Sequence, residues 1–162
     1  MRQVPFLRRS LGIVFQDLKL IPRWTVFEYV AFALQVLGGE KKEIVRKVSQ
    51  ALQQVGLEGK GHFSPYQLSA GEQQRAAIAR AMVNEPTFLL ADEPTGNIDL
   101  RAAEEIVRLF EEINLRGTTI LFATHDEGLP KYLPKDQIVL EQGRIVENTL
   151  TGAAATKLDF AG

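Results

Sequence analysis

Short apolar runs alternate with longer amphipathic segments along this sequence, and this alternation restricts the fold more than any other feature. Three runs are long enough for buried strands and too short for helices, at residues 11–15, 87–91 and 118–123. Between them, apolar residues recur at helical spacing. Apolar strands separated by helices indicate an α/β fold, in which a parallel sheet is covered on both faces.

The helical spacing predicts helices over residues 26–37, 44–55, 71–83 and 103–113. We expect Thr25 to cap the first of them. A hairpin is predicted for residues 137–140 and 144–146, joined across Gln142-Gly143. The first helices follow one another with no strand between them. We therefore predict one domain over residues 1–148, with a helical subdomain at about residues 24–85 inserted into the α/β core, and a C-terminal tail over residues 149–162.

Composition and charge exclude several classes of function. The 162 residues include 19 Lys and Arg against 20 Asp and Glu, a balance that argues against a nucleic-acid-binding surface. The absence of Cys excludes disulfides, Cys-ligated zinc and thiol catalysis, and two His do not favour a His-rich metal site. The longest apolar stretch, residues 29–37, is far shorter than the ~20 residues of a membrane span. These features predict a cytoplasmic domain.

Polar residues follow each predicted strand: Gln16 after the first, Asp92 and Glu93 after the second, and His125 after the third. In an open parallel sheet, ligands bind at the carboxyl ends of the strands. Neighbouring carboxylates on a strand point in different directions, so one can hold Mg²⁺ while the other orients or deprotonates an attacking water. Taken alone, Asp92 and Glu93 are equally consistent with a solvated acidic turn before Pro94.

The segment Leu-Ser-Ala-Gly-Glu-Gln-Gln-Arg at residues 68–75 precedes and opens a predicted helix. Ser69 and Gly71 would place a hydroxyl and backbone N–H groups at the positive end of that helix, which suits a phosphate. An N-cap followed by a polar first turn explains the same spacing. On these residues alone, the N-cap is the favoured interpretation.

Taken together, these segments resemble the domains of ABC-type ATPases, in the order found in that family. Gln16 in Val-Phe-Gln-Asp looks like the Q-loop of that family, and residues 68–75 look like its signature motif. Residues 88–93 look like its Walker B motif, Gly96-Asn-Ile-Asp99 like its D-loop and Thr124-His-Asp126 like its H-loop. The resemblance covers about residues 4–147. It implies a P-loop NTPase-type parallel sheet with an inserted helical subdomain.

The resemblance also implies a role for each matching residue. Glu93 would be the general base and His125 would hold the γ-phosphate, while Gln16 and Asp92 would be the metal ligands. ATP and Mg²⁺ are the implied cofactors, and the implied cofactor-binding residues are Gln16, Ser69, Ala70, Gly71, Glu72, Asp92 and Asp99. In a head-to-tail dimer, the residues around Ser69 would reach the nucleotide of the opposite subunit, and Asp99 would join the two sites.

Two further stretches narrow the resemblance within the family. Residues 4–9 and 90–97 most resemble the ATP-binding subunit of a cell-division complex, which works with an integral membrane protein. Lipoprotein-export and macrolide-export ATPases share the second stretch. The resemblance implies a protein held at the inner face of the membrane by its partner. A cytoplasmic coupling helix of that partner would lie in a groove near residues 16–32.

One element of the family is absent from these residues, the phosphate cradle Gly-x-x-x-x-Gly-Lys-Ser/Thr, which lies upstream of the Q-loop in other members. We therefore expect the P-loop and the N-terminal strands to be missing, which would leave apolar strand surface exposed. Two functions of different class remain open, beside that of the ATPase of a related lipoprotein- or macrolide-export system. One is an N-terminally truncated piece of a catalytic subunit, which the intact Gln16, Glu93 and His125 favour. The other is a naturally truncated, non-hydrolysing subunit that lends its signature motif to an intact ATPase.

Overall fold

The computed structural model describes residues 9–126, 128 and 136–150. The chain divides into two compact units, Met1–His125 and Asp126–Gly162. The first unit contains, in chain order, β1 (Leu11–Val14), α1 (Val26–Val36), α2 (Lys41–Gln54), a 3₁₀ turn (Pro65–Gln67), α3 (Ala70–Met82), β2 (Phe88–Asp92), α4 (Leu100–Leu115) and β3 (Thr119–Ala123). The second contains β4 (Ile138–Glu141) and β5 (Arg144–Asn148).

The first unit is built on a parallel sheet, as the sequence predicts, and its strand order is β1-β2-β3. The register aligns Ile13 with Leu90 and Leu90 with Leu121, so these three side chains share one face of the sheet. Val14, Ala91 and Phe122 are aligned in the same way on the opposite face. The carboxyl ends of all three strands therefore lie at one edge of the sheet.

The two faces of the sheet differ in burial. Val14, Leu89 and Ala91 are buried in a core that continues into the helices, with α3 packed on β1 and α4 on β3. On the other face, Phe88 is 50% exposed and Leu121 is 61% exposed. The sequence predicts helices on both faces of the sheet, but in the described part of the chain helices cover one face. The apolar strand surface that we expect to be exposed lies on the other face.

Local sequence explains where the helices begin and end. Thr25 caps α1 in a capping box with Glu28, in which the Thr25 Oγ1 accepts from the Glu28 N–H and the Glu28 carboxylate accepts from the Thr25 N–H. Gly38 and Gly56 follow the C-caps of α1 and α2 with φ of 78° and 68°, a left-handed conformation that favours glycine. The predicted helices are confirmed, with ends that shift by a few residues.

The helices α1, α2 and α3 pack against one another, and their apolar faces join the sheet core. The compact unit Met1–His125 contains both these helices and the sheet. A separate helical subdomain at residues 24–85 and a domain boundary at residue 148 remain predictions. No helix among the described residues is both long enough and apolar enough to cross a membrane.

The second unit contains the predicted hairpin. β4 and β5 pair antiparallel across Gln142 and Gly143, whose φ values of 49° and 76° are those of a tight two-residue hairpin turn. The predicted tail lies outside the described residues from position 151 onward. Most of the 4–9 stretch used in the resemblance also lies outside them.

Candidate functional site

Glu93 follows the last residue of β2 and adopts a constrained backbone conformation. Its φ is 47°, in the left-handed region that residues other than glycine seldom adopt. Its N–H donates to the carbonyl of Ala123 at the end of β3 (2.9 Å), and its own carbonyl accepts from the Gly96 N–H (3.2 Å). Non-glycine residues in this region cluster at functional sites, where the surrounding structure holds them in place.

His125 lies two residues beyond the end of β3 and contacts this glutamate. The distance from its Nδ1 to Glu93 Oε1 is 2.7 Å. The Glu93 side chain is only 17% exposed, whereas that of His125 is 83% exposed. The sheet therefore brings together the two residues predicted to be catalytic, and it presents the imidazole at the surface beside a largely buried carboxylate.

Asp92 lies in a different environment from its neighbour. It is the last residue of β2, is exposed, and is aligned with Ala123 on the open face of the sheet. The described residues contain no cluster of three or more His, Cys, Asp or Glu side chains that could hold a metal ion by themselves. Mg²⁺ usually takes one or two protein ligands and completes its shell with water and phosphate oxygens. Asp92 and Gln16 provide oxygen donors of that kind.

Gln16 lines an open cavity of the first unit, with a volume of about 700 Å³. Gln73 of α3 and Asn97 also line it. These two residues belong to the segments 68–75 and 96–99, so the structure brings together parts of three motifs that are far apart in sequence.

Ser69 is the N-cap of α3. Its Oγ accepts from the Glu72 N–H (3.3 Å), and the Glu72 carboxylate accepts from the Ser69 N–H (3.0 Å). Lys60 donates to the same carboxylate. The Lys60 and Ser69 hydrogen bonds hold the pKa of Glu72 below its ordinary value. The predicted cap is confirmed, and the phosphate-binding role of Ser69 remains a prediction.

The N-terminus of α4 lies directly beside that of α3. Asp99 caps α4 by accepting from the Ala102 N–H (3.0 Å). A Cβ built on the buried Gly71 would lie 3.0 Å from the Ala102 Cβ, so the absence of a side chain at residue 71 allows this close approach. Arg75 and Glu105 form an ion pair between the two helices (2.9 Å). Ser69 and Ala70 are exposed at this end of α3.

The structure adds two residues that the sequence did not single out. Lys60 lies in the glycine-rich loop before the 3₁₀ turn and contacts Glu72. Tyr29 is a buried residue of α1 whose Oη donates to the Leu18 carbonyl (2.6 Å). Neither residue belongs to a recognisable sequence motif. Each makes its contact through one side chain, and whether that side chain meets its partner depends on how the chain folds.

Comparison with known proteins places this geometry in a family. The family described as "ABC transporter" matches residues 1–96. The cell division ATP-binding protein FtsE of Streptococcus pneumoniae serotype 2 is 50% identical over 151 residues, which are 93% of this chain and 66% of that protein. FtsE of Escherichia coli K12 is 50% identical over 144 residues, 89% of this chain and 65% of that protein.

A solved structure supports the same assignment. CbiO1 from Clostridium perfringens, described as part of the ABC transporter complex CbiONQ, matches 91% of this chain and 59% of its own chain, with a TM-score of 0.82 and 33% identity. This chain spans 66% of the length of the S. pneumoniae protein. The matching family, the relatives and the fold agree, and the chain belongs to the ABC transporter family.

Proposed function

We propose that this chain is part of the ATP-binding and ATP-hydrolysing subunit of an FtsE-like complex that acts in cell division. The observation that carries the proposal is the 2.7 Å contact between Glu93 and His125 at the carboxyl ends of β2 and β3. Identities of 47% and 50% to FtsE proteins from B. subtilis and E. coli support the cell-division assignment.

Glu93 is the general base in this proposal. Its carboxylate would orient the attacking water and accept its proton. The hydrogen bond from the Glu93 N–H to Ala123 fixes the Glu93 backbone relative to the sheet. His125, held by the Glu93 oxygen through Nδ1, would present its other ring nitrogen to the γ-phosphate.

ATP and Mg²⁺ are the proposed cofactors. Asp92 and Gln16 would hold the ion, because they supply oxygen donors from the ends of neighbouring strands. When bound, Mg²⁺ would neutralise charge on the phosphate oxygens. These 162 residues contain no Gly-x-x-x-x-Gly-Lys-Ser/Thr cradle, so the β- and γ-phosphates would need backbone N–H groups and a lysine from elsewhere.

A second copy of the subunit completes the proposed site. The N-terminus of α3, where Ser69 and Ala70 are exposed and Gly71 and Glu72 follow, would reach the nucleotide of the opposite subunit in a head-to-tail dimer. Asp99 would link the two sites, because its helix packs against α3 beside Gly71.

The proposed membrane partner is an FtsX-like integral membrane protein. It would hold the complex at the inner face of the cell membrane and would dock near residues 16–32. Trp24 and Phe32 form a tilted ring pair in this segment (5.0 Å), and Phe32 is 45% exposed, which provides apolar surface for a helix of the partner.

The test measures ATP hydrolysis by the native protein purified from its own cells and by the same protein carrying Glu93→Gln. The control is Glu104→Gln, which removes the same charge from an exposed position on α4. We expect Glu93→Gln to lower kcat by about 10²- to 10⁴-fold, the usual contribution of a general base, and the control to leave kcat unchanged.

Hydrolysis that survives Glu93→Gln would refute the proposed role of Glu93. A native protein that hydrolyses no ATP at all would instead support the non-hydrolysing subunit.

A further inference from the structure

Tyr29 joins three parts of the first unit through one side chain. It lies on α1 and is 1% exposed. Its Oη donates to the carbonyl of Leu18, in the segment that follows β1 (2.6 Å). Its ring packs under the guanidinium of Arg80 on α3, with 4.6 Å from the Arg80 Cζ to the ring centroid.

The segment that Tyr29 holds contains Gln16. Leu18 is two residues beyond Gln16, and both residues line the same cavity of about 700 Å³. The segment turns sharply, because Asp17 accepts hydrogen bonds from the backbone N–H and the Nζ of Lys19 (3.1 and 2.6 Å), and Lys19 has a φ of 54°. The hydrogen bond from Tyr29 connects this turn to a helix.

The chemistry of this contact suits a permanent tether. Burial raises the pKa of Tyr29 to about 12, so the hydroxyl remains a donor throughout the physiological range. The acceptor is a main-chain carbonyl, so the bond fixes the path of the backbone. The Leu18 residue is half-buried, and an unpaired carbonyl there would be costly.

We propose that Tyr29 is a positioning residue, which sets Gln16 relative to α1 and α3 through the Leu18 carbonyl. The inference rests on the proposed function, because Gln16 has a task in hydrolysis only if nucleotide binds beside it. Tyr29 itself touches no reacting group. Its effect on hydrolysis passes through Gln16.

Tyr29→Phe isolates this contact, because it removes one oxygen and retains the ring, its packing and its contact with Arg80. We expect kcat for ATP hydrolysis by the native protein to fall about 10-fold, since a small misplacement of a positioned group is expensive. We expect KM for ATP to change less than about 2-fold, because the groups that bind the nucleotide are not altered.

A double-mutant cycle separates positioning from a general loss of stability. In a Gln16→Ala background, Tyr29→Phe should produce no further fall in kcat, because the residue that it positions is gone. Val48→Ala is the matched stability control. It removes two buried methyl groups from α2, where Val48 is 0% exposed, and we expect it to lower the melting temperature without lowering kcat.

Hydrogen exchange provides a readout that is independent of activity. Amides of residues 16–20 should exchange faster in Tyr29→Phe than in wild type, and Val48→Ala should not change their rates. Unchanged kcat in Tyr29→Phe, or an equal loss of kcat with and without Gln16, would overturn the inference. If Glu93→Gln abolishes hydrolysis in the same preparation, such a result overturns only the positioning role of Tyr29. If Glu93→Gln has no effect on hydrolysis, the proposed function itself is overturned.

Discussion

Gly12 provides a quantitative test of the packing between the sheet and the helix that carries Ser69. It lies in β1 on the face that contacts α3. A Cβ at this position would lie 2.6 Å from the main-chain oxygen of Ala81, and 3.0 Å from side-chain carbons of both Leu89 and Pro86. The Ala81 oxygen belongs to the helix backbone, so no side-chain rotation can relieve the contact.

The cost of Gly12→Ala follows from that distance. Comfortable contacts lie near ~3.5 Å, so α3 would have to move away from β1 by most of ~1 Å. Overpacking of this kind costs about 1–3 kcal/mol. Alanine also has less conformational freedom than glycine in the unfolded chain, which offsets this loss of stability by about 0.4–1 kcal/mol. A net loss of about 1–2 kcal/mol corresponds to a melting temperature lower by about 2–8 °C for a chain of this size.

The assay is thermal unfolding followed by circular dichroism, with Gly61→Ala as the matched control. A Cβ on Gly61 would meet Leu52 at 3.4 Å and Phe27 at 3.6 Å, which are ordinary contacts. We expect the control to melt close to wild type and Gly12→Ala to melt clearly lower. Equal melting temperatures for Gly12→Ala and wild type would contradict the close approach of α3 to β1.

Three further predictions concern the caps and the nucleotide. Thr25→Ala should lower the free energy of unfolding by about 1 kcal/mol in urea titrations, because α1 loses its capping box, and Thr25→Asp should restore most of it. The lowered pKa of Glu72 means that its carboxylate stabilises the fold above the ordinary value of 4.5 and that this contribution is lost as the pH falls through the lower pKa of the folded state. Urea titrations from pH 6 to about pH 3 should therefore show a smaller decline for Glu72→Gln than for wild type. The 162-residue polypeptide alone should bind MgATP only weakly in titration calorimetry. Micromolar binding that Asp92→Ala abolishes would contradict that expectation.

Much of the fold could be predicted because local signals and tertiary packing agree. The apolar runs predict the three parallel strands, and Thr25 and Gly56 mark helix ends through capping chemistry that acts within a few residues. The contact between Glu93 and His125 could also be anticipated. Parallel strands bring their carboxyl ends to one edge, so residues 32 positions apart in sequence are placed together.

Other features depend on distances that no sequence pattern encodes. The hydrogen bond from Tyr29 to Leu18 needs the spacing between α1 and the segment after β1, and the contact of Lys60 with Glu72 needs the path of a glycine-rich loop. The open face of the sheet is a further example. The exposed Leu121 follows the same apolar pattern as the buried Leu89, because the pattern records hydrophobicity and not whether another element covers it.

The most direct test of the central claim is complementation between two inactive variants of the native protein. Glu93→Gln removes the proposed base, and Ser69→Arg places a large cation at the exposed end of α3 that should reach the opposite subunit. Each variant should be inactive alone. In a mixture, half of the dimers carry one site in which both Glu93 and Ser69 are intact, so hydrolysis should recover to about a quarter of the wild-type rate. A mixture that forms mixed dimers and still hydrolyses no ATP would contradict a site shared between Glu93 of one subunit and Ser69 of the other.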